Sequence, residues 1–132
     1  MQATLWYNWC MIKCLNCDNF VINDKYKYCS ALCTTEYTKK QNIQQWLDDY
    51  DFGTAKGGGL KRFVRTYLIE QANGACSKCG RSDIHPITGN YVIEVDHVDG
   101  NRFNNSPKNL AVLCLNCHSK TDTYKNKNRY NV

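Results

Sequence analysis

Asp96 and His97 stand side by side where the β-branched run YVIEV gives way to the loop VDGNRFNN. An imidazole titrates near neutral pH and so suits a general base, while a carboxylate is a good ligand for a hard divalent cation. His118, directly after Cys117, offers such a cation a second donor. The chemistry these residue types suit is metal-assisted hydrolysis, which needs an activated water, a Lewis acid and groups that hold both in line.

Nine cysteines carry the other chemistry. Cys14-Leu-Asn-Cys17 and Cys29-Ser-Ala-Leu-Cys33 form one quartet, and Cys76-Ser-Lys-Cys79 and Cys114-Leu-Asn-Cys117 form a second. A CxxC turn supplies two thiolates at once because its amides can point at the sulfurs, and a second pair closes a tetrahedral zinc site. Two structural zinc ions are therefore expected. The gap between Cys79 and Cys114 exceeds the usual ribbon spacing, so the segment with Asp96 and His97 reads as an insert between the knuckles. Four cysteines already fill the second site, which leaves His118 for another task. Cys10 is left over; its spacing to Cys14 makes it a rival ligand, but it reads first as a bystander thiol.

These residues need elements to position them. YVIEVDH reads as a strand, in which Asp96 and His97 would point to opposite faces, so both reach one site only where the strand bends into the Gly100 loop. Ser106-Pro107 reads as a helix start or turn, LAVL as a second strand leading to Cys114, and HSKTDTYKNK as a helix with His118 in its first turn. Upstream, NIQQWLDDY suits a short helix that the glycines of DFGTAKGGG break. LKRFVRTYLIEQA spaces Leu60, Phe63, Val64, Tyr67, Leu68 and Ala72 as one buried helical face, and Asn73-Gly74 ends it. Ser30 is placed to start a helix after the first quartet.

At 132 residues and 42% hydrophobic content, the chain suits one domain or one domain with a small appendage. MQATLWYNWCMIKC shows no signal-peptide pattern and no stretch is fit to span a bilayer, so reduced cysteines and a cytoplasmic setting are expected. The net charge of +5 leans toward a polyanionic partner.

Asp96-His97 at a strand end, Asn109-Leu110, and Leu113 through Thr121 as L-C-x-N-C-H-S-K-T together resemble the HNH endonuclease family, in its stand-alone phage and bacterial form with CxxC zinc knuckles. RTYLIEQANGACSKCG looks like the helix that leads into that motif. The resemblance implies an α+β protein: a small zinc-stabilised ββα-metal, treble-clef-like domain preceded by helices and an N-terminal four-cysteine zinc knuckle. The expected boundaries are 10–40 for the zinc finger, 41–75 for a helical linker region and 76–132 for the nuclease domain.

The implied activity is divalent-metal-dependent hydrolysis of DNA phosphodiester bonds, as a phage-type homing or nicking enzyme or as a packaging or restriction nuclease, in the host cytoplasm if phage-encoded. The alternative is a zinc-finger module that binds nucleic acid without cleaving it. For the endonuclease the resemblance makes His97 the base, Asp96 and His118 the catalytic metal ligands, and Asn109 the residue orienting the loop. Mg²⁺ is the expected cation, and the imidazole ligand admits Mn²⁺, Co²⁺ or Ni²⁺. Glu94 shares a strand face with Asp96 and is expected to support the site or face solvent, and His85 to be a loop residue. Lys61, Arg62 and Arg65 before the motif, and Lys120, Lys125, Lys127 and Arg129 after it, are candidate DNA phosphate contacts. Residues 1–9 are expected to be peripheral.

Overall fold

Ser30 caps the first helix, its Oγ accepting from the Cys33 amide at 3.2 Å, and α1 (Ala31–Asp48) follows. The structure is a computed structural model and describes residues 12–125, so Cys10, residues 1–9, Lys127 and Arg129 lie outside the described residues. The helix expected over NIQQWLDDY is the C-terminal half of α1. Its N-terminal half, ALCTTEYTK, has Ala31, Leu32 and Cys33 bunched at its start and only Tyr37 beyond them, so no sustained apolar period marks it, but neither Gly nor Pro interrupts it.

Contacts divide the chain into a unit ending at Gln41 and a unit beginning at Asn42. In the first, the Cys14–Cys17 knuckle is closed by an antiparallel bridge between Lys13 and Phe20 and by the Cys14 amide donating to the Asn19 carbonyl at 2.9 Å.

In the second, α2 (Arg62–Gln71) buries Val64 completely, and Trp46 is buried beside it with its ring edge-on to Tyr67 at 6.2 Å. Gly53 packs so closely on Trp46 that a Cβ there would overlap the indole. Residues 42–75 thus fall in the same compact unit as the hairpin that follows. Asn73 and Gly74 end α2 with φ of 49° and 65°.

β1 (Ile93–His97) and β2 (Leu110–Cys114) form an antiparallel hairpin that pairs Ile93 with Cys114 and His97 with Leu110. Leu113 packs with Cys76, Cys114 and Cys117, against Ile93 and Ala111. A single 3₁₀ turn, Pro107–Asn109, leads into β2.

The helix expected through HSKTDTYKNK is shorter. α3 spans Leu115–His118, starts with Cys114 Sγ accepting from the Cys117 amide and ends at Ser119. Ser119 Oγ donates to the Asn116 carbonyl and Thr121 Oγ1 to that of His118, so short polar side chains turn the chain where the helix would continue. No helix among the described residues is long and apolar enough to cross a membrane.

Candidate active site and metal centres

In each cysteine quartet the four sulfurs lie within 4.8 Å of one another. Cys17 and Cys29 are 3.5 Å apart, Cys29 and Cys33 3.5 Å, Cys17 and Cys33 3.6 Å, and Cys79 and Cys114 3.7 Å. Zinc–sulfur bonds of about 2.3 Å give a tetrahedron with edges of roughly 3.8 Å. Among the described residues every cysteine is a free thiol, and both quartets could hold zinc.

The amides of Asn16 and Cys29 point at Cys14 Sγ at 3.4 and 3.3 Å. Desolvation pushes the Cys14 thiol up, but these amides outweigh it and bring its pKa down to about 6. Cys76 behaves alike: desolvation opposes, the amides of Cys114, Cys79 and Lys78 prevail, and the value falls to about 6. Cys117 is pushed up to about 12, first by the Cys79 sulfur and then by desolvation. Four clustered thiols cannot all ionise without a cation, which is the charge logic of a zinc site.

β1 sets Glu94 and Asp96 on one face, two residues apart, and α3 brings His118 against that face. His118 Nδ1 lies 2.5 Å from Glu94 Oε2, and Nε2 lies 3.4 Å from Asp96 Oδ1. The imidazole thus bridges two strand carboxylates, with its ring edge-on to Tyr124 at 5.0 Å. Asp96 also lines a cleft of about 280 Å³, together with Lys78, Lys120, Thr121 and Asp122.

His97 turns to a different partner. Its Nε2 lies 2.7 Å from Oδ1 of Asn105, a side chain only 1% exposed. Asn109, also buried, clasps the intervening loop: Nδ2 donates to Asp99 Oδ1 and to the Asn104 carbonyl, both at 2.8 Å, and Oδ1 accepts from the Asp99 amide at 3.0 Å. Asn104 Nδ2 and the Asn101 amide, with help from Asn109, hold the Asp99 carboxyl below the usual range. Nothing in the sequence singles out Asn105 or Lys78. Asn105 is one of several asparagines in its loop, and Lys78 sits inside a zinc knuckle.

The candidate DNA contacts are surface groups of mixed setting. Arg62, Arg65, Lys120 and Lys125 are exposed. The Lys61 ammonium rests 4.4 Å from the Phe52 ring centroid, and that of Lys125 lies 5.3 Å from Tyr124. His85 is a loop residue whose Nδ1 accepts from the amides of Ile87 and Thr88.

Residues 76–123, which contain the hairpin, α3 and the second quartet, match the HNH endonuclease family. Over 36 residues the chain is 53% identical to H-N-H endonuclease F-TflIV of Escherichia phage T5, a stretch that covers 27% of this chain and 16% of the phage protein. Over 53 residues it is 36% identical to Zorya protein ZorE of Escherichia coli, covering 40% of this chain and 14% of that protein. The matched stretches thus span less than a fifth of either relative. No solved structure matches the chain. The segment 76–123 carries an HNH endonuclease domain, and its two strands, following helix and cysteine quartet fit the ββα-metal fold.

Proposed function

We propose that the chain is a divalent-metal-dependent DNA endonuclease of the phage homing or nicking type, with a nuclease domain over 76–132, a zinc finger over 10–40 and a helical region, 41–75, between them. The observation that carries this reading is the His118 imidazole set between Glu94 and Asp96, within the segment that matches the HNH endonuclease family.

The residues suit a catalytic cation. With Nδ1 donating to Glu94, the His118 lone pair sits on Nε2, the nitrogen facing Asp96, and a carboxylate behind a ligating imidazole is the usual way such a ligand is oriented. Two protein donors leave room for the waters that Mg²⁺ keeps. A divalent cation bound by Asp96 and His118 would supply Lewis acidity at the scissile phosphate.

His97 takes a proton from the attacking water. Asn109, through Asp99 and Asn104, keeps the loop after His97 in one shape. Lys78 and Lys120, lining the same cleft as Asp96, attract the phosphate's negative charge. The exposed Arg62, Arg65 and Lys125 fix the DNA backbone and read little sequence.

Incubation of supercoiled plasmid with the zinc-loaded chain, with and without Mg²⁺, tests this. Nicked or linear product that requires the cation and is lost in His97→Ala is the expected result. DNA binding with no cleavage under any divalent cation would overturn it in favour of the non-catalytic zinc-finger module.

A further inference from the structure

Asn105 has every polar atom of its side chain engaged although it lies in a loop. Oδ1 faces His97 Nε2 at 2.7 Å, while Nδ2 donates to Thr54 Oγ1 at 2.6 Å and to the Gly59 carbonyl at 3.3 Å. The Asn105 carbonyl in turn accepts from Nε1 of the fully buried Trp46 at 3.0 Å. A carboxamide can present either end to a neighbour, so the partners must decide which end faces the imidazole.

The Gly59 carbonyl decides it. A carbonyl only accepts, so the amide nitrogen must face Gly59, and the oxygen is left facing His97. That oxygen also only accepts. Nε2 of His97 must therefore carry the hydrogen, and a neutral imidazole with hydrogen on Nε2 has its lone pair on Nδ1. Among the described residues Nδ1 has no hydrogen-bond partner.

The loop that supplies Thr54 and Gly59 is shaped for close approach. Thr54 pairs with Leu60 across an isolated bridge, and the Gly59 amide donates to the Arg102 carbonyl at 2.7 Å. Gly58 sits at φ +95°, and a Cβ there would meet Phe103 at 3.0 Å and run into Arg102 closer still.

We propose that Asn105 is a positioning residue, held by Trp46, Thr54 and Gly59, that locks His97 as the Nε2–H tautomer and so presents Nδ1 to the water. The inference rests on His97 being the general base. It makes the segment before the family match, through Trp46, Thr54 and Gly59, part of the catalytic machinery.

Nitrogen-15 NMR of the His97 ring in the zinc-loaded full chain, at a pH where the imidazole is neutral, reads the tautomer without any turnover. A protonated Nε2 with a protected N–H signal and an unprotonated Nδ1 are expected. In Asn105→Ala the protected signal should disappear and kcat should fall about ten-fold or more with KM for DNA nearly unchanged. Asn105→Asp keeps an acceptor for Nε2–H while giving up the donor to Gly59, and should recover the protected signal that the alanine variant loses.

Hydrogen on Nδ1 in the wild-type ring overturns the inference, even if the alanine variant fails to fold. So does a folded Asn105→Ala with wild-type kcat, or an Asn105→Asp whose protected signal is lost as in the alanine variant. If His97→Ala itself cleaves like wild type, the nuclease reading fails instead. If His97→Ala is inactive while Asn105→Ala is not, this inference alone fails.

Discussion

Asn109 and Asp99 hold each other by a reciprocal pair of hydrogen bonds, the amide of Asn109 donating to the Asp99 carboxylate at 2.8 Å and the Asp99 backbone N–H donating to Asn109 Oδ1 at 3.0 Å. The pair closes the base of the loop that leaves His97 and returns into β2. Every atom of the Asn109 side chain that can bond is used, because Nδ2 also reaches the Asn104 carbonyl. The loop is therefore shaped by polar contacts from a buried residue rather than by apolar packing.

Removing Asn109 takes away three hydrogen bonds whose partners, the exposed Asp99 and the half-buried Asn104, can turn to water, so the net loss is on the order of 1 kcal/mol. Asn109→Ala should lower stability by about that amount and reduce cleavage by shifting the loop. Urea denaturation paired with single-turnover cleavage checks both. Unchanged values in the two assays would mean the clasp does not matter.

Asp99 gives the same clasp a pH dependence. Its folded pKa is depressed, first by Asn104 and then by the Asn101 amide, so its contribution is fully present above the unfolded value of about 3.9. The contribution is lost as pH falls through the lower, folded value. The stability difference between wild type and Asp99→Asn should therefore be constant near neutrality and shrink only on that acid descent. A difference that grew as the pH fell would contradict the sign of the shift.

Glu94 should act on the cation through His118. Its carboxylate lies 2.5 Å from Nδ1, on the ring edge away from the nitrogen facing Asp96. Weakening such a partner typically costs about 10- to 100-fold in metal affinity. Glu94→Gln should accordingly need more Mn²⁺ to reach half-maximal activity, with kcat at saturation close to wild type. Asp96→Ala should weaken the metal further, whereas His97→Ala should leave metal affinity intact and slow cleavage by about a hundredfold or more.

Much of this architecture is legible in the sequence because strong local signals mark it. Paired CxxC spacings announce sulfur tetrahedra, the i, i+3, i+4 spacing from Leu60 to Ala72 announces α2, and the β-branched run before Asp96 announces β1. The N-terminal half of α1 has no such signal. Its apolar residues are bunched at Ala31, Leu32 and Cys33 rather than spaced at three and four, and Ser30 is its main mark. Asn105 is illegible for another reason: Asn101, Asn104 and Asn105 share one loop, and only burial against Trp46 and the Gly57–Gly59 turn separates the third from the others. The Thr54 hydroxyl, the Gly59 carbonyl and the Trp46 indole that converge on residue 105 are neighbours in space, which local pattern cannot report.

The second cysteine quartet should decide whether the candidate nuclease domain folds. Cys114 is 5% exposed, ends β2 opposite Ile93 and caps α3 through its sulfur, so one residue joins the hairpin, the helix and the metal centre. Structural zinc in finger peptides is worth on the order of 10 kcal/mol, comparable to the whole stability of a typical domain. Cys114→Ser should thus unfold the second unit, while Cys17→Ser should lose one zinc and leave the hairpin intact. Because the metal-free Cys17 and Cys117 thiols are both held at about 12, zinc uptake must release protons, and binding should tighten as pH rises. Elemental analysis should find about two zinc ions per chain in wild type and one in Cys17→Ser. Hairpin amide signals that survive in Cys114→Ser, or in wild type stripped by chelator, would show that the packing of Leu113, Ile93 and Ala111 holds this fold without metal.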